Sequence, residues 1–189
     1  SNRNSGFDIS DYVGKLRWQG DRQSVTAKLQ YSEETSNSSY LGLTDADFSQ
    51  DPNRRYGLSS PDQMDNTHSG VSLTHQFEWS DNVSSTTTLY RNDFKRNWYK
   101  LSGGGNIIDA ANAGDANAQG ILDGTVDTSG LNYKNNAREY VSQGVQTNFD
   151  VTIGNHEFDF GARAHEDEMD RFQPVDVYDQ VNGSLVFQN

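Results

Sequence analysis

The sequence predicts an all-β chain: an antiparallel up-and-down segment of a transmembrane β-barrel, about six strands of a larger barrel, with long extracellular loops. Three observations predict it. Apolar and polar side chains alternate with period two in about six segments. The links between those segments alternate short and long. Aromatic residues reach 11 % although hydrophobic residues total only 32 % and the mean hydropathy is −0.88.

The first segment, residues 11–18, sets Tyr12, Gly14, Leu16 and Trp18 against Val13, Lys15 and Arg17. A short turn leads to residues 25–31, where Val25, Ala27, Leu29 and Tyr31 oppose Thr26, Lys28 and Gln30. The third segment sets Val71, Leu73, Phe77 and Trp79 against Ser72, Thr74, Gln76 and Glu78, with His75 the polar intruder on the apolar side. In the fourth, residues 86–100, the rings of Tyr90, Phe94 and Trp98 share the parity of Thr88, while Arg91, Asp93 and Lys95 share the other. The apolar face is expected to be the ring side, with Asn92 and Arg96 beyond the apolar zone. The fifth gives Val141, Val145, Phe149, Val151 and Ile153 against Gln146, Asn148 and Asp150. The sixth gives Phe158, Phe160, Ala162 and Ala164 against Glu157, Asp159, Arg163 and His165. Gly154-Asn155 between the last two signals a two-residue hairpin.

Residues 32–67 and 101–137 are expected as polar loops of roughly 35 to 40 residues, with a short helix in the Ala-rich stretch 107–122. All short turns then lie at one end of the sheet and all long loops at the other. Trp18 and Trp79 beside short turns, with Trp98 and Tyr99 beside a long loop, fit interfacial aromatic girdles. Six strands cannot close in lipid without leaving backbone amides unpaired, so residues 1–189 are expected to be part of a larger barrel domain.

Composition excludes other classes. A disordered chain of net charge −12 would lack nine Tyr, nine Phe and three Trp. The acidic balance speaks against nucleic-acid binding, which needs a basic surface. The absence of cysteine removes disulfides and thiolate metal sites, and no run of about 18 apolar residues suggests a spanning helix. No charged and apolar leader opens the sequence, so an exported protein would be present here in mature form.

The stretches "YLGLTDADF", "DPNRRY", "RNWYKL" and "HEDEMDRF", in that order, resemble the barrel of a TonB-dependent outer-membrane receptor, of the ferric dicitrate receptor type. That resemblance implies a barrel of about 22 strands around an N-terminal plug. It also implies localisation in the outer membrane of a Gram-negative bacterium and uptake of a scarce, bulky ligand, commonly a ferric chelate such as a siderophore or ferric citrate. The implied partners are the receptor's own plug domain, the TonB energy-coupling complex and outer-membrane lipid. No cofactor and no covalent chemistry are implied.

Candidate ligand-binding residues are Arg54, Arg55, Arg91 and Arg163, because guanidinium forks match carboxylates. Arg54 and Arg55 have an alternative role in ordering their loop against Asp45, Asp47 or Asp51. Arg91, Lys95 and Arg163 are expected to face the lumen, where they meet ligand or plug. Residues 165–170, "HEDEMD", carry metal-capable side chains, but strand alternation splits them between two faces, so no metal site is expected. "SGGGN" lacks the Lys and Ser/Thr of a phosphate loop, and no nucleophile elbow occurs, so an enzyme is not expected. Two alternatives remain: a soluble secreted β-sandwich that binds glycans or surfaces, and a barrel lipase or protease with Ser/His or Asp/His residues clustered at the rim.

Overall fold

The computed structural model describes residues 5–188. Its strands are β1 (Phe7–Gln19), β2 (Gln23–Ser36), β3 (Gln63–Ser80), β4 (Val83–Leu101), β5 (Thr128–Ile153), β6 (His156–Phe172), β7 (Val175–Val181) and β8 (Ser184–Phe187). Three short helices, α1 (Asp45–Gln50), α2 (Gly104–Asn112) and α3 (Ala116–Asp123), lie in the two long connections. All pairings are antiparallel, in the order β1-β2-β3-β4-β5, and β5 then pairs β6 along its lower part and β7 along its upper part. The result is one open sheet that rises and falls strand by strand.

Two of its turns follow local chemistry. Gly154 takes φ 62° as the first of two central residues, the turn form that only glycine enters without strain. Asn182 and Gly183 both have positive φ, 49° and 74°, and close the β7–β8 hairpin as a turn whose twist matches the strands. Sequence analysis missed this hairpin, although Asn-Gly between alternating residues is the strongest short signal for one.

Strand register defines the faces, because directly opposed residues of an antiparallel pair point the same way. Leu16, Ala27, Leu73, Leu89, Val145 and Ala164 form one continuous cross-strand row, and Gly14, Leu29 and Val71 lie beside it. This face agrees with the expected alternation of the first, second, third, fifth and sixth segments. The fourth is corrected. Leu89 stands between Leu73 and Val145, so Arg91, Asp93 and Lys95 share the apolar face, while Thr88, Tyr90, Phe94 and Trp98 lie on the polar face with Thr74, Ser72 and Gln146.

No second layer covers the apolar face among the described residues. Leu73 is 42 % and Phe158 is 52 % exposed, and Val25 and Phe149 are half-buried only by their neighbours in the sheet. The packed core lies instead at the long-loop end, where Tyr56, Leu58, Leu101, Leu122, Leu131 and Tyr133 bury one another.

The strands also run further than expected. β5 has 26 residues, about 86 Å at 3.3 Å per residue, where about 9 to 11 residues cross a bilayer. β2 to β5 therefore absorb both flanks of each expected loop and shorten them to residues 37–62 and 102–127. The expected helix over 107–122 is two helices, broken where Gly114 takes φ 94° and Asp115 caps α3 through the Asn117 and Ala118 amides.

Gly144 has a specific reason to be glycine. The Tyr90 ring crosses over it to reach β6, and a Cβ there would lie 2.7 Å from the Tyr90 hydroxyl and 2.6 Å from the Ala164 carbonyl oxygen. Gly144→Val is expected to displace Tyr90 and cost about 1–3 kcal/mol. Thermal denaturation would report it, and an unchanged midpoint would contradict the close approach.

Candidate functional site

The polar face changes character along its height. Near the short turns it is a hydrogen-bonding surface of Ser24, Thr26, Thr74, Thr86, Thr88, Gln146 and Asn148, flanked in register by charges of both signs, Arg17 and Arg163 in one row and Glu78, Asp150 and Asp159 in another. Midway, the Tyr90 hydroxyl lies 2.6 Å from His165 Nδ1 and accepts a hydrogen bond from Arg163 Nε at 3.0 Å, and His165 Nε2 lies 2.8 Å from Asp167.

Above that cluster comes a row of rings, His68, Phe94 and Tyr140, continued by Met169 on β6. Ring centroids lie 6.4 Å apart for His68–Phe94 and 6.0 Å for Phe94–Tyr140. The next row is Asn66, Arg96, Arg138 and Arg171, with Arg138 directly opposite both other arginines. Two rows higher, Lys100 opposes Lys134. Five cations thus gather on one face of a chain whose formal net charge is −12.

Like charges directly opposite one another destabilise a sheet, and here no salt bridge relieves the arginine row. Among the described residues, no ion pair engages Arg96, Lys134, Arg138 or Arg171, and the Nε groups of Arg96 and Arg138 are buried without a hydrogen-bond partner. The nearest acid in the arginine row, Glu34, accepts instead from Asn66 at 3.0 Å. Lys100 is held by rings: its Nζ lies 3.2 Å from the Tyr40 centroid and 4.2 Å from that of Trp98, and the two rings stack 4.5 Å apart. Burial, and then the charges of Arg96, Lys134 and Arg138, push the Lys100 ammonium below its ordinary pKa, with Asp62 opposing.

A folded canopy caps this face. Arg54 donates to Asp47 at 2.6 Å and pairs with Asp123, so it clamps α1 to α3, and Gln119 Nε2 donates to the same two carboxylates, at 3.1 Å in each case. Arg55 donates to the carbonyls of Asn37, Ser59 and Asp62. Arg54 thus pairs with Asp47, one of the loop acids named as its alternative partners, and also ties in Asp123 of the second long connection, while Arg55 is held by carbonyls of its own connection. Asp62, 1 % exposed, accepts from the Ser39 hydroxyl at 2.6 Å and the Leu101 amide at 2.9 Å.

Of the other expected site residues, Arg163 is on the polar face as foreseen. Arg91 is not. It lies on the apolar face, where it donates to Asp93 and Gln143, because β4 has the opposite parity to that expected. The "HEDEMD" stretch is split as expected: His165 and Asp167 share the polar face, Glu166, Glu168 and Asp170 the other. The arginine row was missed, yet part of it was readable. A two-residue turn at 154–155 fixes β5 against β6 and places Arg138 opposite Arg171. Arg96 joins only through the β4–β5 register, which a long loop leaves open.

Trp98 and Tyr99 do not form the expected girdle, since β4 carries them far above the apolar row: Trp98 stacks on Tyr40, and Tyr99 packs on Tyr133 in the loop core. Tyr12 and Tyr31, paired on the apolar face at its loop-side limit, hold that position instead.

Burial raises the Asp47 carboxyl, but hydrogen bonds from Tyr56, Gln119 and Thr44 and the charge of Arg54 outweigh it and hold the pKa below 3.8. A depressed carboxylate stabilises the folded canopy above its unfolded pKa and loses that contribution as pH falls through the folded value. Asp62 runs the other way, because burial raises it and its folded form favours the proton. Acidification below about pH 4 is therefore expected to loosen the α1–α3 clamp through Asp47. Near-UV circular dichroism should show that transition, and Asp47→Asn should abolish it. An acid transition unchanged in Asp47→Asn would contradict this assignment.

The arrangement defines a class: a single-layer antiparallel wall, apolar on one face, with a basic and aromatic site on the other beneath ordered loops. Among solved structures, the chain is similar to BauA, the ferric preacinetobactin receptor from Acinetobacter baumannii, with a TM-score of 0.50 and 10 % identity over 97 % of this chain. It spans 26 % of the length of that receptor. At such identity the likeness is one of fold. No protein-family model and no curated protein matches the chain.

Proposed function

We propose that this chain forms part of the wall of a closed outer-membrane β-barrel of the TonB-dependent receptor type, and that the receptor takes up a scarce, bulky ligand, a ferric chelate. The observation that carries this reading is the sheet with two solvents: an apolar face that no second layer covers and a polar face that carries the cationic site. From Trp79 to Ser69 on β3 is about ten residue steps, about 34 Å along the strand. At a tilt of about 40° that is about 26 Å along the membrane normal, against about 25 Å for the apolar band of such barrels.

Polar groups on that face pair with one another, as hydrocarbon requires. His75 Nε2 lies 3.1 Å from Gln23 Oε1, and the Thr87 and Thr147 hydroxyls are 3.1 Å apart. The fold likeness to a ferric siderophore receptor supports the barrel-wall part of this reading, and the ligand class follows from the sequence resemblance. In this reading the lower part of the polar face, with its hydroxyls, amides and charges of both signs, meets the receptor's own plug, and TonB acts through that plug. No bond is made or broken, so the receptor is not an enzyme.

A soluble sandwich needs a second sheet over Leu73, Val145 and Phe158, and the described strands form one sheet. Size-exclusion chromatography tests the choice. The purified full receptor should be folded and monodisperse only in detergent or lipid, and a folded, monodisperse receptor in plain buffer would overturn the membrane reading.

A further inference from the structure

We propose that the row Arg96–Arg138–Arg171, with Lys100 and Lys134 above it, selects the ligand by charge and admits a compact ferric complex of net charge −2 or −3. The inference rests on the uptake reading and adds the chemical class of the ligand. Adjacent strands are about 4.8 Å apart, so the three arginines span about 10 Å across the face. That width matches a single small chelate with several anionic oxygens, each able to take a guanidinium fork.

The site is built for a guest that brings its own charge. Two arginine Nε groups are buried with their hydrogen-bonding capacity unused, and the row tolerates two directly opposed like-charge pairs. A neutral guest can at most satisfy the Nε donors and leaves the like-charge repulsion in place, whereas a polyanion offsets both together. The ring row of His68, Phe94 and Tyr140 supplies an apolar and π-rich floor next to the anion site. Catecholate and carboxylate complexes share the required charge, so both are used as probes.

The test is a titration of the full receptor in detergent, read by quenching of Trp98, which stands on the same face two residues from Arg96. The probes are a ferric tris-catecholate of charge −3, an anionic ferric citrate complex and a neutral ferric tris-hydroxamate. At least one anionic probe should bind, and more weakly as salt rises. Arg138→Gln should weaken that binding about 10- to 100-fold, since it removes a charge-assisted contact. The same variant should melt no lower than the parent, because it relieves repulsion. Arg91→Gln, on the opposite face, should leave affinity unchanged.

Three results would overturn the charge assignment while the uptake reading stands: tighter binding and uptake of the neutral probe, anion affinity within twofold of the parent in Arg138→Gln, or equal weakening of all probes in that variant. The last would give the row to an acidic segment of the receptor's own plug. Failure to bind any ferric probe, with no uptake of iron from any of them by cells, would overturn the uptake reading itself.

Discussion

Val145→Arg should destabilise the membrane-inserted protein by about 2–4 kcal/mol, the cost of an arginine on the lipid face of a barrel near the bilayer midplane. Val145 is the centre of the row that runs from Leu73 through Leu89 to Ala164, with no covering layer. Its chain neighbour Gln146 points the other way, beside Thr88 and Arg163. Gln146→Arg should therefore insert and melt within about 1 kcal/mol of the parent, because charge on the lumen side is tolerated. Equilibrium unfolding in lipid vesicles measures both. Equal effects from the two substitutions would show that the faces do not meet different solvents.

Tyr133→Ala should have a comparable or larger effect at the other end of the molecule. Tyr133 is 0 % exposed, its hydroxyl donates to the Leu58 carbonyl at 2.5 Å, and its ring packs against Tyr99 and Tyr178 at 5.9 Å and 5.0 Å. Truncating a buried aromatic costs about 3–5 kcal/mol. Only the canopy should bear that cost, because the core it belongs to has no continuation between the faces of the membrane strands. Hydrogen exchange should rise through residues 37–62 and 102–127 while amides around Leu73, Leu89 and Val145 stay protected. Tyr133→Phe keeps the ring but leaves the Leu58 carbonyl unpaired, for about 1–3 kcal/mol. Uniform loss of protection along β3 to β5 in Tyr133→Ala would contradict a separate loop core.

The same physics explains what could be read from the residues alone. Where one face of the sheet is apolar and the other polar, period-two alternation marks both, and it located the faces of β1, β2, β3, β5 and β6. β4 was misread because most of its rings lie above the apolar row. Phe94 and Trp98 belong to the face that carries the cationic row, while Leu89, between Leu73 and Val145, marks the apolar face. Beyond the apolar row both faces of β4 carry charged residues, Lys95 on one and Arg96 on the other, and hydropathy no longer names them.

The canopy was illegible for a different reason. Tyr56, Leu58, Leu101, Leu122 and Tyr133 come from distant segments, and only the folded loops bring them together. The cationic site needed two registers at once, of which the Gly154-Asn155 turn supplies one. Arg54 and Arg55 were expected at the ligand because guanidinium forks match carboxylates, yet α1, α3 and the turn Gly57–Ser59 use them internally.

The chain contains no cysteine, so single cysteines can be placed along β3 to β5 without background. The decisive measurement is their labelling in intact outer membranes by a water-soluble, membrane-impermeant maleimide, position by position. The account expects Leu73, Leu89 and Val145 to resist labelling while Thr74, Thr88 and Gln146 react once the lumen is open to reagent. Equal labelling of the two sets, or reaction at 73, 89 and 145 with protection at 74, 88 and 146, would contradict it.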